Sequence, residues 1–206
     1  MARRPVRLVA FDLDGTLVRG PTICEVLADK FGMRDRMRAI EQLRDIADIS
    51  AAREEMLHWY GDVPLVELCA ELRRVEIAPG AAEAFGLLAA RGVTSVIVSV
   101  TWAFAVEWFA RRFGAQAWVG TGVTSAGSIQ HFWPHDKPVW LSRYASDLGI
   151  ELDEVAAVGD SLGDVPMLSM VGHPVYVGAQ LPAAIGHATH RPHANLRELA
   201  AALLDG

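Results

Sequence analysis

The sequence predicts an α/β fold, a doubly wound and mostly parallel sheet with a helical segment inserted after its first strand. Three observations predict it. Short apolar, β-branched runs at 6–11 (VRLVAF), 93–99 (VTSVIVS) and 155–158 (VAAV) alternate with helical stretches, the pattern of strand-crossover-strand units. Residues 21–74 lie between the first two runs, carry no strand pattern and read as helical throughout. Polar side chains stand where the strands end, and sheets of this class bind ligands beyond those ends.

Taken in order, Val6 to Phe11 is the first strand. Pro21 suits the first turn of a helix and Gly32 its end, Ser50 can cap another helix, and Asp62 with Pro64 opens the last of about four short ones. After Pro79-Gly80 the period changes. Ala81 to Arg91 reads as a helix stopped by Gly92, Val93 to Ser99 as a buried strand, and Trp102 to Phe113 as a helix stopped by Gly114. Asp136 can cap a helix running to Leu148, Val155 to Val158 is a strand, and Asn195 to Leu204 is the closing helix. The implied division is a core of residues 1–17 and 79–206 carrying a helical cap of residues 18–78.

With 206 residues, 51% apolar and 21% charged, the chain can bury a sizeable core, which argues against disorder. Its 19 basic and 25 acidic residues give a net charge of −6 with no basic run, so a small molecule is the expected partner rather than nucleic acid. Cys24 and Cys69 form no ligand pair, which suits inert thiols in a reducing cytoplasm. The opening MARRPVRLVAF lacks the apolar region of a signal peptide, and the longest apolar stretch, Val93 to Val106, is too short and too interrupted to span a membrane. Oligomeric state is left open.

The chemistry is concentrated at the strand ends. Asp12 and Asp14 follow the first strand, Ser99 ends the second, and Asp160 follows Val155 to Gly159, with Asp164 four residues on. Lys137 opens a helix and can point its ammonium into the same region. Four carboxylates in one crevice cannot all ionise without a cation, and hard oxygen ligands favour Mg2+. A phosphate group, carrying roughly −1.5 to −2, makes both the cation and Lys137 necessary. A carboxylate so held can attack phosphorus, while its neighbour, kept partly protonated by repulsion, serves as general acid and then base.

This set resembles the haloacid dehalogenase superfamily of phosphatases, in its phosphoserine phosphatase-like branch. The resemblance covers nearly the whole chain and rests on DLDGTLV at 12–18, strand-ending Ser99, Lys137 in HDKPVWL and GDSLGDVPML at 159–168. It implies a Rossmann-like core and a Mg2+-dependent hydrolase working through an aspartyl-phosphate. Asp12 would be the nucleophile and Asp14 the acid/base; Asp12, Asp160 and the backbone carbonyl of Asp14 would bind Mg2+, supported by Asp164. Ser99, Val100 and Lys137 would hold the phosphoryl group. An acid at Asp14 favours phosphate esters over halides, because an alkoxide leaving group needs a proton and a halide does not.

Substrate selection falls to the inserted helices. Where phosphoserine phosphatases place a glutamate and an arginine for the amino acid, this chain has Pro21 and Met56, with Arg53 one helical turn before Met56. Pro21, Arg53, Met56 and Trp102 are therefore the candidate specificity residues, and they point to a small organic phosphate other than phosphoserine. Phosphoserine hydrolysis and phosphotransfer through the same intermediate are the alternatives. His58, Trp59, Tyr60 and Trp102 could stack on a ring, although core packing is the commoner role of such side chains. The GDSL string at 159–162 matches a serine esterase motif but lacks the later D-x-x-H partner. His187, His190 and His193 have a zinc-like spacing that Pro192 breaks, so they read as a solvated loop.

Overall fold

The computed structural model describes residues 4–205. Its elements are β1 (Leu8–Phe11), β2 (Val18–Arg19), α1 (Ile23–Lys30), α2 (Arg34–Glu41), α3 (Ile46–Tyr60), α4 (Leu65–Glu71), β3 (Glu76–Ile77), α5 (Ala81–Ala90), β4 (Thr94–Trp102) and α6 (Ala103–Phe113). There follow β5 (Ala117–Val123), β6 (Ile129–Gln130), α7 (Asp136–Asp147), β7 (Val155–Gly159), α8 (Val165–Leu168), β8 (His173–Tyr176), β9 (Thr189–His190) and α9 (Leu196–Asp205). The main sheet has the order β6-β5-β4-β1-β7-β8-β9 and is parallel except where β6 pairs with β5.

Alternation along β1 explains the double winding. Val9 and Phe11 face a layer built from α5, α6, α9 and the inserted helices, with the rings of Phe11 and Phe85 tilted at 34° and 5.0 Å apart. Leu8 and Ala10 face the opposite layer with Leu141 of α7 and Met167 of α8. Both faces of a central strand are thus apolar, which is why it reads as an unbroken hydrophobic run. The inserted helices α1–α4 are bracketed by a two-stranded antiparallel ribbon, β2 with β3, pairing Val18 with Ile77 and Arg19 with Glu76. Of this insertion, Met37, Ile40, Ala52, Met56 and Tyr60 join the same apolar cluster as Phe11.

Several boundaries differ from the sequence expectation. Asp45, not Ser50, caps α3: its carboxylate accepts from the amides of Ala47 and Asp48, while Ser50 lies inside the helix and donates to the Ile46 carbonyl. Asp136 is the first residue of α7 rather than its cap, and its carboxylate accepts from the Trp133 amide. The second predicted strand does not end at Ser99. It continues to Trp102 through a register shift after Val98, because pairing resumes between Trp102 and Thr121 of β5. Of the spaced histidines, His190 sits in β9 rather than in a loop, its Nε2 on the Gly178 carbonyl.

Candidate active site

β1 and β7 run side by side, Phe11 opposite Val158, so Asp12 and Asp160 leave the sheet at the same edge. Asp12 is tied there by its amide, which donates to the Val158 carbonyl at 2.9 Å. The chain then turns, with the amides of Thr16, Leu17 and Val18 all donating to the Leu13 carbonyl. Gly15 adopts φ +82°, and a Cβ there would stand 2.1 Å from Asp160 Oδ2. Only glycine allows both that conformation and that approach. Thr16 donates to Asp160 Oδ1 at 3.1 Å, joining the two strand ends directly.

Lys137, from the first turn of α7, reaches in from the third side. Its Nζ donates to Asp12 Oδ1 and to Asp164 Oδ1, each at 2.6 Å, and it is 2% exposed. Asp164 is wholly buried and fully used: its Oδ2 accepts from the amides of Asp160 and Ser161 and from the Ser161 hydroxyl, at 3.1, 3.0 and 2.9 Å. Ser161, the serine of the GDSL string, thus spends both its amide and its hydroxyl on Asp164 at the start of the turn 162–164.

Three carboxylates, Asp12, Asp160 and Asp164, have oxygens within 4.8 Å of one another. Against one ammonium this leaves an excess of negative charge, and the acidities respond. Burial first, then Asp164, pushes the Asp12 carboxyl well up, against the opposing pull of Lys137. Burial and Asp164 raise Asp160 to about 6. Burial alone would lower Lys137, but Asp12 and Asp164 outweigh it and hold the ammonium charged. Asp14 is raised to about 7, chiefly by burial, even though the Ile23 amide at the start of α1 donates to its Oδ1 at 2.7 Å.

The donor set fits a hard divalent cation. Asp12 and Asp160 each have one carboxylate oxygen committed, to Lys137 and Thr16 respectively, and each keeps a second oxygen without a hydrogen bond among the described residues. Asp164 has neither oxygen to spare, so it supports the site rather than offering a ligand. A cation there would relieve the charge excess that raises these carboxyls.

These groups open onto a cavity of about 580 Å³ between the sheet edge and the inserted helices. Asp12, Asp14, Ser99, Val100, Lys137 and Asp160 line it, and so do Arg53, Met56 and Trp102 of the specificity candidates. Pro21 does not, although its neighbours Gly20 and Thr22 do. Of the proposed stacking aromatics, Tyr60 is buried against Phe31 and Trp102, His58 is exposed, and Trp59 packs on the core. Ser99 is buried, and its Oγ accepts from the Thr101 amide at 3.3 Å. Sequence reasoning missed Glu41 and Thr121, which also line the cavity. Glu41 takes a hydrogen bond from the Thr22 hydroxyl, and burial raises its carboxyl. Neither stands in a motif, and only the fold brings them here.

A family model described as haloacid dehalogenase-like hydrolase matches residues 9–169, a span that contains every one of these motifs. The chain belongs to that family. The curated proteins and solved structures it resembles include several phosphoserine phosphatases. Phosphoserine phosphatase SerB2 of Mycobacterium tuberculosis is 25% identical over 181 residues, covering 84% of this chain but only 44% of that protein. The phosphoserine phosphatase of Albidiferax ferrireducens is 26% identical over 183 residues, covering 81% of this chain and 76% of its own length. Among solved structures, a phospho-aspartyl intermediate analogue of phosphoserine phosphatase superposes with a TM-score of 0.78 at 21% identity, covering 97% of this chain and 99% of that one. At that identity the likeness is one of fold. No helix of the described residues is long and apolar enough to cross a membrane.

Proposed function

We propose that the protein is a Mg2+-dependent phosphomonoester hydrolase that acts on a small organic phosphate through an aspartyl-phosphate formed on Asp12. One observation carries the reading. Asp12 is gripped by Lys137 on one oxygen at 2.6 Å and keeps the other uncommitted among the described residues, on the wall of a cavity shared with Asp14, whose carboxyl burial raises to about 7.

Asp12 supplies the electron pair that attacks phosphorus, and Lys137 fixes its orientation while adding positive charge beside the phosphoryl oxygens. As the bond from phosphorus to the leaving oxygen breaks, Asp14 gives that oxygen its proton. A carboxyl near 7 is present in both forms at neutral pH, so Asp14 can then take a proton from the water that cleaves the acyl phosphate and frees Asp12. Ser99 and the backbone at Val100 hold the phosphoryl oxygens. Mg2+, held by Asp12, Asp160 and the backbone carbonyl of Asp14, would supply the charge that lets these carboxylates share the site with a phosphate dianion. Residues 18–78 act as a cap over the cavity, with α1 orienting the general acid through the Ile23 amide.

For the substrate, the apolar wall formed by Met37, Ile40, Met56 and Trp102 favours a leaving group with an apolar body. The case against phosphoserine, built on Pro21 and Met56, is weakened by the relatives named above and by Glu41, which offers the same cavity a carboxylate. Phosphoserine therefore belongs among the substrates this reading admits. The test is release of phosphate from p-nitrophenyl phosphate by wild type with Mg2+, its loss with EDTA, and its abolition in Asp12→Asn. Appreciable turnover by that variant would remove Asp12 from the nucleophile's role.

A further inference from the structure

Arg53 projects from the middle of α3 and spends its guanidinium on the opposite side of the cavity. Nη2 donates to the Val100 carbonyl at 3.1 Å and to the Phe132 carbonyl at 3.3 Å, and Nη1 lies 3.0 Å from His131 Nδ1. The guanidinium carbon sits 4.3 Å over the Trp133 ring, which in turn stacks on His131 with centroids 5.0 Å apart and planes at 15°. These partners belong to two segments. Val100 follows Ser99 in β4, and residues 131–133 form the connection that leads into α7 and Lys137.

Thr121 of β5 joins the same two segments. Its hydroxyl lies 2.9 Å from the Val100 carbonyl, and it accepts from the Phe132 amide at 3.2 Å. The Val100 carbonyl thus takes one hydrogen bond from the sheet and one from the inserted helices. A peptide group is planar, so fixing that carbonyl also fixes the Thr101 N–H, which donates to Ser99 Oγ at 3.3 Å.

We propose that Arg53 is a positioning residue: through the Val100–Thr101 peptide it makes the orientation of the Ser99 hydroxyl depend on the docking of the inserted helices. The proposal rests on the reading of Ser99 as a phosphoryl-binding group. Three donors of the guanidinium are committed to the sheet side, so its work is to align the receiving loop and not chiefly to recognise the leaving group. Lysine cannot replace it, because one ammonium on a flexible stem does not span two carbonyls and an imidazole in a fixed plane. A displacement of a binding group by about 1 Å is enough to cost up to about a hundredfold in rate.

The test uses Arg53→Met and Arg53→Lys in the full chain, with thermal unfolding to confirm that each folds. Hydrogen exchange without metal or substrate is the first measurement. Amides of 100–102 and 131–133 should exchange at least about tenfold faster in both variants than in wild type, while those of β7 stay unchanged. The second is turnover of p-nitrophenyl phosphate, whose leaving group carries no second anion for an arginine to bind. Here kcat should fall about ten- to a hundredfold in both variants, and inhibition by orthovanadate should weaken with it. Unchanged exchange at 100–102 overturns the proposal. So does unchanged p-nitrophenyl phosphate turnover with a raised KM for phosphoserine, which would make Arg53 a substrate ligand. Wild type that releases no phosphate from any ester would instead sink the functional reading, and the exchange result would still judge the coupling.

Discussion

Gly15 lies so close to Asp160 that a single added carbon would collide with the carboxylate, at 2.1 Å from Oδ2. The contact makes the loop after β1 and the loop after β7 one object, and the Thr16 hydroxyl bond to Asp160 closes it. Gly15→Ala should therefore do two things. The left-handed backbone costs about 1–2 kcal/mol for a residue with a Cβ, and Asp160 must swing away from Asp12. The expected result is a melting temperature lower by several degrees, with Mg2+ affinity reduced more than tenfold by titration calorimetry. Unchanged Mg2+ affinity would mean that Asp160 does not hold the ion.

The raised carboxyls give stability a definite pH dependence. Asp14 near 7 and Asp160 near 6 bind protons in the folded state that the unfolded chain, with ordinary carboxyls at 3.8, has already lost. Between about pH 4 and pH 7 the folded state thus carries more protons, so the stability of the metal-free protein falls as pH rises through that window. A divalent cation favours the ionised forms and should reverse the trend. Melting curves from pH 4 to 8, with and without Mg2+, check it, and Asp160→Asn should flatten the metal-free slope. A metal-free protein that gains stability steadily up to pH 7 would contradict this electrostatic account.

Lys137 is the only cation hydrogen-bonded to Asp12 or Asp164 among the described residues. Lys137→Met leaves both carboxylates buried and unbalanced, a loss of about 3–5 kcal/mol. Urea unfolding at pH 8 without metal should show most of that loss. As the pH is lowered the deficit should shrink, because protons taken up by the stranded carboxylates replace the missing ammonium. A deficit independent of pH would assign Lys137 a packing role alone.

Glu41 should separate amine-bearing substrates from others. Its carboxylate lines the cavity and is bonded there by the Thr22 hydroxyl. A charge-assisted bond to an ammonium is worth about 1.5–3 kcal/mol. Glu41→Gln should accordingly lower kcat/KM for phosphoserine by about tenfold or more while leaving p-nitrophenyl phosphate within about twofold. Equal losses on both substrates would show that Glu41 serves the site's shape and not its selectivity.

The end of the sheet that carries the candidate site was legible in the sequence because its signals are local. An apolar run closed by Asp12, and another closed by Asp160, mark strand ends without any knowledge of their partners. The outer strands were not legible in that way. Ala117–Val123 contains two glycines, and His173–Tyr176 is four residues long with a proline at its second position. They are strands because β4 and β7 offer them hydrogen-bonding edges, which no window of the sequence can express. Arg53 illustrates the same divide. Its place one helical turn before Met56 marked it as a specificity candidate, but its partners Val100, His131 and Phe132 lie 47 to 79 residues away along the chain. Glu41 and Thr121 carried no pattern at all, since each matters only through where its helix or strand comes to rest.

The central claim is that Asp12 accepts the phosphoryl group, and the most direct measurement is to trap it there. Wild type mixed with p-nitrophenyl phosphate and Mg2+, quenched in acid within one turnover and digested, should yield the peptide containing Asp12 with a phosphoryl group that hydroxylamine removes. Phosphate released in that first turnover while the Asp12 peptide stays unmodified at every quench time would contradict the account.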